Sequence, residues 1–332
     1  MRVFVTGGNG FVGLNVVSAL QQAGHEIWCL VRENSNTAYL DSFEVNKVSG
    51  RLDDHTFLRS ITDQVDAVIH TAGITGCKKS ELPMLMEVNA RGTENVCRAA
   101  FESRVTKLVY TSTTSTIGCK NDPNQKANET TPLTGFRANN PYGISKIAAE
   151  DHIKKYADKG LDAVILNPAE VVGPFDYNLQ WGRIVLAVAF NQLPFVPPGG
   201  GSFCHSAEVG QAHVNALTQG RSGEKYILAG SDVSFKTYIE TIEALMGKVS
   251  DRPGGSYWMK YFNAWVSENM PYLINSKPAV EAYRMRVFAG HYYFDSSKAV
   301  NELGYNEAPL EEMLKACIGW YQTTGIVPAK AA

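Results

Sequence analysis

An apolar strand that runs straight into three glycines spaced three apart leaves a chain few ways to fold. Residues 3–13 read VFVTGGNGFVG, and Gly7, Gly10 and Gly13 end the strand and open a helical pattern. Gly7 permits the tight turn. Gly10 lets backbone N–H groups approach a pyrophosphate, and Gly13 lets helix and strand pack closely. The helix N-terminus adds a partial positive charge. This arrangement predicts a strand, turn and helix start that grip a dinucleotide.

The rest of the first half keeps the same rhythm. Apolar runs at 2–6, 26–31, 67–71, 107–112 and 163–167 alternate with helical patterns at 11–23, 54–62, 83–102 and 141–157. Near-continuous apolar strands between amphipathic helices imply an α/β fold, with a parallel sheet covered on both faces. Right-handed crossovers make it a doubly wound Rossmann sheet. After about residue 174 the pattern breaks into a proline–glycine loop at 193–202, a strand at 226–229 and helices at 235–246, 296–303 and 310–323. The expected organisation is a nucleotide-binding core over 1–174. A smaller, mostly helical substrate lobe over 175–330 is interleaved with the last core strand and helices. With 332 residues, 44% hydrophobic, the chain can bury a full core.

Composition narrows the partners. Net charge is −2, so no global field draws the chain to nucleic acid or to an anionic membrane. Six scattered cysteines form no C-x-x-C pair, which argues for free thiols in a reducing cytosol and against a zinc site; no metal is expected. No basic leader with a cleavage site opens the sequence, and no apolar run reaches the ~18 residues of a membrane span. A cytoplasmic location is expected, with 328–332 as a frayed tail.

Strand two ends Leu30-Val31-Arg32-Glu33. Val31 cannot hold a ribose diol, whereas Arg32 can pair with a 2′-phosphate. NADP(H) is therefore expected in preference to NAD(H), with NAD(H) kept open because Glu33 can turn inward.

Tyr142 and Lys146 lie four apart, one helical turn, so they share a face. A nearby ammonium favours the phenolate and should lower the tyrosine pKa from its usual value of about 10. Such a tyrosine can exchange a proton with a substrate oxygen. The run 109–118 supplies six hydroxyl-bearing Ser and Thr residues, any one of which can polarise a carbonyl or serve only as a turn or cap hydroxyl.

Together these residues resemble the extended short-chain dehydrogenase/reductase family over nearly the whole chain. Thr6 to Gly13 is similar to the family's nucleotide loop, which implies contacts from Asn9, Phe11 and Val12 beside the glycines. His70-Thr71-Ala72-Gly73 is similar to its strand-four signature, implied to line the cofactor. Asn89-Ala-Arg-Gly-Thr resembles its Asn-x-x-Gly-Thr helix, and Asn167-Pro168-Ala-Glu-Val171 the stretch closing over nicotinamide. Residues 295–305 resemble its C-terminal helix. The resemblance implies Tyr142 as acid/base, Lys146 as its partner and Thr113 as the catalytic hydroxyl, with Ser112 the nearest substitute. Leu52, Asp53 and Thr111 are implied cofactor neighbours. Arg51 stands where the family often has an aspartate for adenine. Asn167, where sugar-modifying members commonly carry arginine, points to the dihydroflavonol reductase and hydroxysteroid dehydrogenase branch.

That branch implies an apolar carbonyl or alcohol substrate. The aromatic segment 257–272 can wall a pocket, fill a core or rest on a membrane surface. Thr75, Thr114, Ser115, Tyr177, Phe203 and His205 are the expected substrate neighbours. Two other functions stay open: a nucleotide-sugar epimerase or dehydratase with tightly bound NAD, and a non-catalytic NADP-binding regulator. Between Asn178 and Phe203, Arg183 is the only arginine and no lysine occurs, which disfavours a sugar diphosphate. The resemblance also implies a homodimer built on the helices at 83–102 and 141–157.

Overall fold

A computed structural model describes residues 1–120, 122, 124–251, 256–270 and 280–328. Tyr272 of the aromatic segment and residues 329–332 of the expected tail lie outside the described residues. The strands are β1 (Arg2–Thr6), β2 (Glu26–Val31), β3 (Asn46–Ser49), β4 (Ala67–His70), β5 (Lys107–Thr111), β6 (Ala163–Pro168), β7 (Glu170–Val172), β8 (Gly200–His205), β9 (Lys225–Leu228), β10 (Ser231–Ser234) and β11 (His291–Tyr292). The helices are α1 (Phe11–Gln22), α2 (His55–Thr62), α3 (Leu82–Leu85), α4 (Gly92–Glu102), α5 (Pro141–Ala157), α6 (Gly182–Ala189), α7 (Ser206–Asn215), α8 (Phe235–Met246), α9 (Tyr257–Asn269), α10 (Ala282–Phe288), α11 (Ser297–Leu303) and α12 (Leu310–Thr323).

Seven strands form one parallel sheet in the order β3-β2-β1-β4-β5-β6-β9. Successive residues of a strand point to opposite faces. Val3 and Val5 accordingly pack under α1, α7 and α11, while Phe4 packs under α2, α4 and α5. Both faces are buried, which is why the strands read as unbroken apolar runs. Strand order reverses at β1, beside β4. The crevice at the carboxyl ends of these two strands is where an open α/β sheet binds its ligand.

Three features were not legible in the sequence pattern. The first is the edge strand β3, Asn-Lys-Val-Ser, which is mostly exposed and too polar to stand out. The second is a four-stranded sheet in the C-terminal half, with β8 between β10 and β11 and β7 also paired to β8. Its glycines hide it: a Cβ on Gly200 would lie 2.5 Å from the Val233 carbonyl oxygen. The third is a break in the 83–102 helix, where a π-helical turn at Met86–Arg91 separates α3 from α4. That turn carries Asn89, whose amide clamps both backbone groups of Ile74 at 2.8 and 2.9 Å. The C-terminal half is tied into the core, because β9 completes the sheet and α7 packs along α1. Among the described residues no helix is long and apolar enough to cross a membrane.

Candidate active site

The glycine turn is built to leave donors free. Gly7 takes a left-handed φ of +75°, and a Cβ there would lie 2.6 Å from the Ala72 nitrogen. A Cβ on Gly13 would lie 2.0 Å from the Gly7 carbonyl oxygen, so the helix can sit this close to the turn only with glycine there. Gly10 caps α1 without a side-chain acceptor for the first-turn N–H groups. Those groups and the helix dipole fit the pyrophosphate of a dinucleotide. The Asn9 amide donates to the Asn36 carbonyl at 3.1 Å, tying the turn to the loop after β2. Arg32 opens that loop; it is exposed, and among the described residues its guanidinium has no hydrogen-bond or ion-pair partner. Asp53 is held by Arg51 through a two-pronged contact at 2.9 and 2.8 Å, so both carboxylate oxygens are engaged. The Leu52 carbonyl accepts from Asn95, and Leu52 packs beside Gly92.

Helix α5 starts with Asn140, whose side chain accepts from the Tyr142 N–H at 3.1 Å, followed by Pro141 at the first helical position. Tyr142 and Lys146 share a face, as their spacing requires. Lys146 is buried; its Nζ donates to the Thr111 carbonyl at 2.7 Å and sits 4.3 Å from the centroid of the Tyr110 ring. Burial pulls the Lys146 pKa down to about 7, against the opposing pull of Glu150. The Thr113 side chain lies close enough to the Tyr142 phenol to influence its ionisation. The phenol pKa is pushed up to about 12 by burial, which outweighs the downward pull of Thr113. The tyrosine pKa is thus raised, where the sequence predicted it lowered. Lys146 points at Thr111 and Tyr110, and desolvation dominates the phenol.

A third residue continues the same helical face. Glu150, one turn beyond Lys146, is 1% exposed. Its Oε1 accepts from Ser112 Oγ at 2.5 Å, Thr116 Oγ1 at 2.8 Å and Asn167 Nδ2 at 2.9 Å, and its Oε2 pairs with Lys225. This carboxylate ties α5 to the ends of β5, β6 and β9. The i, i+4, i+8 pattern of Tyr142, Lys146 and Glu150 was the signal for it.

Several of the expected cofactor neighbours have side chains engaged within the protein. His70 is fully buried, with Nδ1 2.5 Å from Thr6 Oγ1 and Nε2 2.9 Å from Thr93 Oγ1. Thr93 donates onward to Asn89, so Nε2 carries the ring proton and neither nitrogen is free for a cofactor. Burial and the Lys146 charge drive the His70 pKa down to about 3. Asn167 is also fully buried, its Nδ2 shared among Glu150, Thr116 Oγ1 and the Thr113 carbonyl. Asn89 serves Ile74 and Ser145, and the Thr111 hydroxyl serves His213. Thr71 donates to the Thr6 carbonyl, while Gly73 stays exposed with its Cβ position 3.9 Å from Lys146 Nζ. Pro168 is buried at the end of β6, and Val171 is partly buried on β7.

The substrate expectations divide in the same way. Phe203 is fully buried and stacks on Tyr238 at 4.3 Å, so it belongs to the core of the C-terminal lobe. His205 caps α7 by accepting the Ala207 N–H. The Tyr177 hydroxyl donates to the Asn9 carbonyl, bracing the glycine turn. Thr114 and Ser115 lie in the short turn after Thr113, with Ser115 N–H bonded to Thr113 Oγ1 at 3.1 Å, and Thr75 is exposed on the loop after β4.

A cavity of about 500 Å³ opens beside the start of α5. Phe136, Pro141, Tyr261, Trp265 and Tyr283 form its apolar wall, with Lys79, Glu268 and Arg286 at polar positions. Helix α9 therefore supplies two aromatics to the cavity, while Trp258, Met259 and Phe262 beside them are exposed. Glu170 and Arg137 lie nearer the Tyr142 phenol and the Thr114 turn, and neither was singled out from the sequence. The Glu170 carboxyl accepts from the Trp181 ring N–H and lies within charge range of both Tyr142 and Arg137; burial raises its pKa.

Comparison with known proteins agrees with this construction. Residues 3–229 match the model of the "NAD dependent epimerase/dehydratase family". A Synechocystis protein named "Putative dihydroflavonol 4-reductase" is 29% identical, over 98% of this chain and 95% of its own length. A 4-hydroxy-2-methyl-3-oxo-4-farnesyl-3,4-dihydroquinoline-1-oxide ketoreductase from Stigmatella aurantiaca is 25% identical, over 92% of each chain. The crystal structure of gox2253 superposes with a TM-score of 0.84 at 28% identity, covering 98% of this chain and 99% of that one. The glycine turn, the parallel sheet and the matched residues together place the chain in the NAD(P)-binding epimerase/dehydratase family, the extended branch of the short-chain dehydrogenases/reductases.

Proposed function

We propose that this protein is an NADP(H)-dependent oxidoreductase that interconverts a carbonyl and a hydroxyl on an apolar small molecule. The observation that carries the reading is Tyr142 beside Thr113, on the helix whose Pro141 borders the aromatic cavity. Bound nicotinamide supplies or accepts the hydride. The chain's own residues do the rest. Thr113 and Tyr142 hold the substrate oxygen, and Tyr142 gives it a proton during reduction. Lys146, anchored on the Thr111 carbonyl, keeps its amine close to the reacting groups. Glu150 acts as a positioning residue that fixes α5 against three strands. The free guanidinium of Arg32 beside the glycine turn supports selection of a 2′-phosphate. The reductase names of the relatives support reduction of a carbonyl.

The test is a panel of apolar ketones, aldehydes and alcohols, followed by nicotinamide absorbance with both cofactors. Tyr142→Phe is expected to lose turnover by about 10²–10⁴-fold while still binding cofactor. Arg32→Ala is expected to raise KM for NADPH more than for NADH. Near-wild-type kcat in Tyr142→Phe overturns the assignment. Conversion of a UDP- or GDP-sugar without net absorbance change would make the protein an epimerase or dehydratase instead.

A further inference from the structure

Arg137 lies in the 3₁₀ turn Gly135–Asn139, just before α5. Its guanidinium stacks over Tyr292, 4.5 Å from the ring centroid, and Nη2 donates to the Thr114 carbonyl at 3.3 Å. Nη1 is buried with no hydrogen-bond partner. Three other sheltered cations have carboxylates, Lys107 with Asp162, Lys225 with Glu150 and Lys298 with Glu224, while the Lys146 amine rests on the Thr111 carbonyl. Arg137 has no carboxylate partner among the described residues. Glu170, the carboxyl that senses its charge, is committed to Trp181.

A buried donor left unpaired costs about 1–3 kcal/mol, and more on a charged group. A chain retains such a donor at little cost if a ligand completes it. The planar fork of a guanidinium matches a carboxylate in two parallel hydrogen bonds. Its location says which molecule brings the carboxylate. Arg137 holds the Thr114 carbonyl, and Tyr142 lies beside the preceding residue, Thr113. Phe136, the residue before Arg137, packs edge to face on Tyr283 at 6.0 Å in the cavity wall, and Pro141, the residue before Tyr142, lines the same cavity.

We propose that Arg137 anchors a substrate carboxylate, so that the substrates are apolar or aromatic hydroxy- and oxo-acids. This rests on the oxidoreductase reading for the reacting oxygen at Tyr142; the anion site itself does not depend on turnover. The acid head pairs with Arg137 and the apolar tail occupies the aromatic cavity.

The experiment uses the full chain loaded with cofactor. Calorimetry compares 5-phenylpentanoate, its methyl ester and 5-phenylpentyl phosphate. Turnover compares 3-hydroxy-5-phenylpentanoate with its methyl ester. The acid is expected to bind, and to be oxidised in kcat/KM, about tenfold or more better than the ester, through KM. Arg137→Gln should bring that ratio close to one, and Arg137→Lys should retain part of it; melting curves check that both variants fold. Equal affinity for acid and ester in the wild type overturns the proposal. So does tighter binding of the phosphate than of the carboxylate, or unchanged discrimination in a folded Arg137→Gln. Arg137-dependent binding of the acid with no alcohol or carbonyl turned over supports the anion site and sinks the oxidoreductase reading alone.

Discussion

Tyr142 keeps its proton at neutral pH because it is removed from water, and this favours one direction of chemistry. With a pKa of about 12 the phenol is ready to donate, so reduction needs no prior ionisation. Oxidation needs the phenolate, whose fraction rises about tenfold per pH unit below the pKa. Initial-rate pH profiles should therefore show kcat/KM for an alcohol climbing from pH 7 to pH 10, and kcat/KM for the matching ketone falling only at the alkaline end. An alcohol profile that is flat across this range would show that bound cofactor restores the lowered pKa expected from Lys146. The residue pair was legible in the sequence as Tyr-x-x-x-Lys. Its electrostatics were not, because spacing along a helix does not report desolvation.

At the scale of elements, the turn between β1 and α1 is a tight backbone fit. Gly13→Ala places a methyl 2.0 Å from a backbone oxygen that cannot rotate away. Loss of about 1–3 kcal/mol of stability is expected, with cofactor affinity lost as α1 is pushed off the turn. Gly319→Ala in α12 is the matched control. Nothing lies within 4 Å of its Cβ position, so about 0.5–1 kcal/mol of stabilisation is expected there. Thermal melts and a fluorescence titration with NADPH measure both. The glycine motif was readable because each glycine answers a local backbone demand. The π-helical turn at Met86–Arg91 was not, because its cause is Asn89 reaching a loop fifteen residues away. His70 and Asn167 show the same limit: both stand in recognisable motifs, yet the fold engages both His70 ring nitrogens and the Asn167 Nδ2 in internal hydrogen bonds.

For the whole molecule, α4 and α5 pack side by side and leave Phe101 partly exposed against Tyr156. We propose that a second copy covers this face to form a homodimer; light scattering at micromolar concentration should give twice the 36.4 kDa of one chain. A mass of one chain under those conditions would rule the dimer out. The alternation of apolar strands and amphipathic helices was enough to specify the doubly wound sheet, since burial on both faces leaves a mark on every strand. The glycine turn, Arg32 and the Tyr142–Lys146 face were likewise written in local spacing. What required tertiary structure is everything assembled from distant segments. Glu150 meets Lys225 across 75 residues, Tyr177 braces Asn9 across 168, and α9 is split between cavity and solvent. Periodicity records which side of an element is buried, whereas the partner met on that side is chosen by packing among elements far apart in the chain.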